Sequence, residues 1–248
     1  MRIVAFSNVK GGVGKTTTAV NLAYLAGAGG RRTVLWDLDP QGAATYILGG
    51  EENPRASARR LVSGKRGLAE LVAPTGYANL LLLAADRSYR NFDVHMSACK
   101  HPTRQLMIMM RPMQETCDLL VLDCPPGMSL LTENVLRAAD AIVVPTVPAP
   151  LSLRMLDELQ AFVAKTGWPD IEILPFFSMV DRRRSLHEEI IAEARRRFPR
   201  MLATEVPDWS EVERMTIRRA PLPAFAPHSQ AAQIYTALWR EVASRVLA

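Results

Sequence analysis

A chain of 248 residues, 48% of them apolar and 22% charged, is long enough for one large α/β domain and too apolar for intrinsic disorder. The formal net charge of +5 is modest, and Cys99, Cys117 and Cys124 are odd in number and lack metal-ligand spacing, which argues against a disulfide scaffold or cysteine-bound metal and points to reduced thiols in the cytoplasm. No apolar run approaches the roughly 20 residues that cross a bilayer, and the opening MRIVAFSNVKGG runs into a strand and a glycine loop rather than forming a signal peptide.

In chain order, RIVAFS reads as a short buried strand, followed by the glycine loop and by KTTTAVNLAYLAGA with helical spacing. RTVLWD, NLLLLAA, DLLVLDCPP, AIVVPT and EILPFFS are further short apolar runs ended by polar residues or proline, as buried strands are. Between and after them, LLTENVLRAAD, LSLRMLDELQAFVAKTG, LHEEIIAEARRRF and the last SQAAQIYTALWREVASRVL carry helical spacing. Residues 49–67 are expected to form a surface excursion. The alternation predicts a doubly wound α/β fold, a mostly parallel sheet with helices on both faces, in a single domain over residues 1–248.

The segment GGVGKTT lies between a predicted strand and a predicted helix, the context a phosphate-binding loop requires. Backbone N–H groups of Gly11, Gly12, Val13 and Gly14 can turn inward at a helix N-terminus. Lys15 is then placed to reach the β- and γ-phosphates, Thr16 to ligate Mg²⁺ and Thr17 to reach the α-phosphate. The loop departs from the common phosphate-loop pattern at Val9, where glycine is usual, and carries an additional lysine, Lys10. In VLWDLDPQGAAT, Asp37 and Asp39 end a strand two residues apart and so share one side of it. In LLVLDCPPG, Asp123 ends an apolar strand, the arrangement that holds Mg²⁺, usually through water, while Pro125 and Pro126 stop the strand. Cys124 has no histidine partner in sequence and reads as a small buried filler.

These motifs resemble the ParA/MinD family of deviant Walker ATPases, whose loop reads KGGxGK followed by Thr or Ser, and the resemblance covers nearly the whole chain. It implies a P-loop fold, slow Mg²⁺-dependent ATP hydrolysis, and an ATP-driven homodimer. It also implies that Lys10 touches the nucleotide of the other subunit, that Asp39 positions the attacking water, that Asp37 lies near the metal shell, and that Pro207 and Asp208 line the adenine pocket. The ParA-like branch adds nonspecific DNA as the matrix, a nucleoid location, and a ParB-like or cargo-adaptor protein that stimulates hydrolysis. The cargo is then DNA, as in plasmid or chromosome partition, or a protein assembly such as a carboxysome or chemoreceptor cluster.

Arg182, Arg183 and Arg184, with Arg214, Arg218 and Arg219, are the candidate phosphate contacts; Arg195, Arg196 and Arg197 suit a helix C-terminus instead. Relatives carry PRNVRLSEAPSHGKP after the last strand. Here the stretch is PDWSEVERMTIRRAPLP, with Asp208, Trp209 and Glu211 at divergent positions. A MinD-like membrane role is the alternative, but the stripe Tyr235, Leu238, Trp239, Val242 and Val246 is expected to pack on the body. Metallocluster proteins on the same scaffold need cysteines that this chain lacks, and the DLDPQG motif argues against a dethiobiotin-synthetase-like ligase.

Overall fold

The computed structural model describes residues 1–167 and 171–247. Its elements are β1 (Arg2–Phe6), α1 (Lys15–Ala28), β2 (Thr33–Asp37), α2 (Ala43–Ile47), α3 (Ala58–Val62), β3 (Ala73–Pro74), β4 (Leu80–Leu83), α4 (Phe92–Ser97), α5 (Gln105–Met110) and β5 (Leu119–Asp123). They continue with α6 (Leu130–Ala138), β6 (Ala141–Thr146), α7 (Pro150–Thr166), β7 (Glu172–Val180), α8 (Ser185–Arg197), β8 (Glu205–Pro207), α9 (Ser210–Arg218), α10 (Leu222–Phe225) and α11 (Gln230–Val246). Short 3-10 turns such as Arg87–Asn91 link several of these.

The strands form one sheet in the order β3-β4-β2-β5-β1-β6-β7-β8. Every neighbouring pair is parallel except β3 with β4. Parallel strands must be covered on both faces, and the side-chain period of two supplies both. In β1, Val4 and Phe6 join the core beneath α1 and α11, while Ala5 joins the core on the opposite face. The α11 stripe of Tyr235, Leu238, Val242 and Val246 is buried in that first core, with Trp239 packed against it. The apolar face of the last helix is thus spent inside the protein, as expected.

The six predicted strands and five long helices are all present. Residues 49–67 require correction as an excursion: Ala56, Ala58 and Leu61 are buried in the core, and α3 lies within this stretch. A five-residue helix offers only one turn of spacing, so burial through Ala58 and Leu61 left no periodic signal beside the surrounding Arg, Lys and Glu.

Candidate functional site

The parallel register sets the site. Asp37 of β2 stands directly opposite Asp123 of β5, and Phe6 of β1 stands opposite Asp123 on its other side. The carboxyl ends of three adjacent strands therefore meet where the glycine loop leaves β1, the place ligands bind in open α/β sheets. Both carboxylates are fully buried. The Asp37 oxygens are occupied: one accepts from the Asp39 N–H at 3.2 Å, the other from the Thr45 N–H and hydroxyl, both at 2.8 Å. The Asp123 oxygens have no hydrogen-bond partner. Burial first, then the Asp37 charge, raises the Asp123 carboxyl well above its ordinary range, opposed by the Thr16 hydroxyl and the Lys15 ammonium. Burial likewise pushes Asp37 up to about 6, against the pull of Thr45.

The loop is held by its own backbone. Asn8 donates to the Pro145 carbonyl at 2.7 Å and accepts from the Lys10 N–H at 2.9 Å, tying the loop start to β6. Ser178 of β7 donates to the Val13 carbonyl at 2.9 Å, so Val13 enters through its backbone while its side chain is buried. Gly14, at φ 87°, caps α1 in the left-handed region that glycine enters without cost. Its carbonyl accepts from the Thr18 hydroxyl at 2.7 Å. Lys15 is 6% exposed and its Nζ donates to the Lys10 carbonyl at 3.0 Å; burial lowers its pKa, opposed by Asp123 and Asp39. The two lysines thus separate. Lys15 is folded inward, and the Lys10 side chain is exposed and unpaired among the described residues.

Gly11, Gly12, Gly14, Lys15, Thr16, Thr17 and Asp39 line one cavity of about 620 Å³ together with Pro207, Asp208 and Trp209. The structure therefore brings the predicted phosphate end and the predicted base end into one space. Asp39 is half-buried and accepts from the Gln41 N–H at 2.9 Å. Sequence reasoning missed α9, whose Val212, Glu213, Met215 and Thr216 form part of the wall. Buried Asn21 of α1 anchors this wall, accepting from the Leu222 N–H at 2.8 Å and donating to the Met215 sulfur at 3.3 Å. The only signal in sequence was the high amphipathicity of SEVERMTIR around Met215.

The six candidate phosphate-contacting arginines do not form one array. Arg182 pairs with Glu205, and Arg183 pairs with Asp181 at 2.9 Å. The Arg219 guanidinium lies 4.7 Å from the centre of the Tyr46 ring, and its Nε donates to the Tyr46 carbonyl at 3.2 Å. Arg184, Arg214 and Arg218 are exposed and carry no ion pair among the described residues. The first cluster lies just before α8, which starts at Ser185. Arg195 pairs with Glu205 at 2.7 Å, and Arg197 pairs with Asp157, which bears out their structural reading. Cys99, Cys117 and Cys124 are free thiols, and burial raises the Cys124 thiol well above its usual range, in keeping with an inert filler.

A glycine loop between β1 and α1, a buried lysine at its end and an unsatisfied strand-end carboxylate define a P-loop nucleotide-binding α/β protein. The AAA_31 model, an AAA domain, matches residues 1–167. A chromosome partitioning protein ParA from Myxococcus xanthus is 31% identical over 98% of this chain and 88% of that protein. The chain therefore belongs to the ParA/MinD family of deviant Walker ATPases. Among solved structures, apo McdA of Cyanothece superposes with a TM-score of 0.85 at 20% identity, covering 98% of this chain and 99% of that one. A cobyrinic acid a,c-diamide synthase from Mycobacterium smegmatis, with an ATP analogue and magnesium bound, superposes with a TM-score of 0.82 at 24% identity over 97% and 93% of the two chains. Both likenesses concern the fold.

Proposed function

We infer that the protein is a Mg²⁺-dependent, slow ATPase that dimerises around ATP, binds nonspecific DNA as that dimer, and positions or segregates a cargo. The observation that carries this reading is the separation of the two lysines. Lys15 is turned into the cavity beside Thr16, Asp39 and Asp123, whereas Lys10 is exposed on the same loop and has no ion pair among the described residues. An outward cation at the phosphate end is what a second protomer can use. Val9, Met128 and Leu151, which follow β1, β5 and β6, are 38%, 45% and 63% exposed and add apolar surface around that mouth.

In this reading Lys15 and the loop N–H groups neutralise the phosphates, and Thr17 holds the α-phosphate. Asp39 orients the attacking water, and Pro207 and Asp208 border the adenine. The Asp123 oxygens, buried without a partner, fit a share in a magnesium site with the Thr16 hydroxyl, and the cation would supply further charge neutralisation. No group of three or more His, Cys, Asp or Glu among the described residues could hold a metal by itself, which suits a cation bound mainly through phosphates and water. Asp37 belongs to the edge of this site, since its oxygens serve Thr45 and Asp39.

The relatives named for chromosome partitioning support DNA as cargo, with a protein assembly as the other cargo this reading allows. A ParB-like or adaptor protein would stimulate hydrolysis, and the location would be the cytoplasm at the nucleoid. A MinD-like membrane role is disfavoured because α11 buries its apolar stripe. Among the described residues no helix is long and apolar enough to cross a membrane. The reading is tested by sedimentation with ATP: Lys10→Ala should keep the fold and lose most of the ATP-dependent dimer. A mutant that dimerises as the wild type does would remove the role in trans.

A further inference from the structure

Residues 55–111 contain eight arginines and two lysines against three acids, Glu70, Asp86 and Asp93. That excess of seven exceeds the net +5 of the whole chain, so the remainder is net −2 on the same count. The three acids are engaged locally. Glu70 pairs with Arg66 at 3.2 Å, Asp86 accepts from the Ser88 N–H and hydroxyl, and Asp93 accepts from the Leu131 N–H at 2.8 Å. Glu52, at the border, is spent on Arg87 at 3.0 Å. The elements that carry the charge are contiguous: α3 packs on α4, on α5 and on the turn Arg87–Asn91, and the turn Pro102–Arg104 packs on α4 and α5. Arg55, Arg59, Arg90, Lys100 and Arg104 are exposed there, and among the described residues no ion pair occupies them.

The contrast with α8 and α9 decides the assignment. Around Arg182 and Arg195, Glu205 accepts from both guanidiniums, and Asp181 neutralises Arg183. On α9, Glu211 and Glu213 share the helix with Arg214 and Arg218 and lower its net charge, without an ion pair among the described residues. A polyanion gains its affinity from cations that give up only solvent and counterions to meet it. Arg184, Arg196, Arg200, Arg214 and Arg218 are also exposed, but residues 181–219 hold eight acids against ten arginines, whereas residues 55–111 hold three acids against ten cations. Arginine predominates, and its planar fork suits phosphate oxygens. None of the three helices exceeds six residues, which is too short for an amphipathic helix lying in a membrane surface.

We propose that the α3–α5 face, through Arg55, Arg59, Arg90, Lys100 and Arg104, is the main phosphate-binding surface for duplex DNA. This rests on the DNA-binding reading above and moves the surface away from the arginines of the α8 and α9 region. An ATP dimer would present the face twice, doubling the phosphates neutralised per particle.

The test uses the full chain with ATP on random-sequence duplex DNA across a salt series. One variant is Arg59→Gln/Arg90→Gln/Lys100→Gln, the other Arg184→Gln/Arg214→Gln/Arg218→Gln. All six side chains are exposed, and thermal melting with ATP-dependent sedimentation confirms that each variant folds and dimerises. The first variant should lose at least tenfold in affinity, and its log–log salt slope should fall by about 0.9 per contact removed, roughly 5 for three substitutions on each of two protomers. The second should keep most of the wild-type slope. If only the second variant loses the slope, or neither does, this assignment is overturned while DNA binding stands. If the wild-type protein binds no duplex in any nucleotide state, the DNA reading itself fails. Binding of the face to phosphatidylserine vesicles without any to DNA would also overturn the assignment.

Discussion

At the scale of single residues, the site is defined by what is left unsatisfied. Asp123 is a buried carboxylate whose oxygens make no hydrogen bond, eased only by the nearby Thr16 hydroxyl and Lys15 ammonium, and it is costly until a cation or proton meets it. Asp123→Asn removes that charge with little change of shape. The nucleotide-free variant should gain about 1 kcal/mol at pH 7.5, a rise of roughly 2–4 °C in melting temperature for a chain of this size. Its ATP turnover should fall by about 10²-fold or more. A variant that melts lower than wild type without nucleotide would show that the charge is not a liability. The placement of Lys15, Thr16, Asp39 and Asp123 at the loop and the strand ends was legible because each lies inside a short contiguous motif whose spacing follows from its chemistry. The pairing of Arg182 with Glu205 and the seat of Arg219 on Tyr46 were not, since both join segments that only the folded sheet brings together.

Among elements, α9 shows what a divergent segment does. It walls the cavity through Val212, Glu213 and Met215, and the residue that follows it, Arg219, grips Tyr46 of α2. The neighbouring Thr45 holds Asp37, which in turn accepts from the Asp39 N–H. Arg219 sits at φ 49°, a conformation that costs a non-glycine residue about 1 kcal/mol or more. Arg219→Gly should therefore leave stability within about 1 kcal/mol, because relieved strain offsets a stacking contact and a hydrogen bond of similar size. Turnover should drop several-fold with the Michaelis constant for ATP nearly unchanged, because the segment after Asp39 loses its brace. Unchanged turnover would reduce the contact to a helix end. The short helices α2 to α5 escaped sequence reading because each is fixed by tertiary burial rather than by periodicity. The edge strands β3 and β8, of two and three residues, offered too little alternation to detect.

For the whole molecule, two raised carboxyls make stability depend on pH. Asp37 and Asp123 hold protons in the fold that the unfolded chain releases near pH 4. Their contribution is complete below that value and is lost as pH rises through the raised values, about 6 for Asp37. The nucleotide-free protein should melt progressively lower between pH 5 and 7.5, and Asp123→Asn should lose part of that slope. If Asp123 shares a magnesium site as proposed, Mg²⁺ with ATP should flatten it, because only the ionised carboxylate would bind the cation. A slope identical in wild type and variant would contradict the burial argument. A different consequence follows from α11 lying against α1. The helix after the glycine loop is made well before its partner. At about 5–20 residues per second on the ribosome, roughly 200 residues separate their synthesis, so the outer face of α1 stays uncovered for about 10–40 s. During that interval the nascent chain carries a complete phosphate-loop sequence without the helix that buries its foundation, and it presents to chaperones the same alanine- and leucine-rich surface that the finished protein hides.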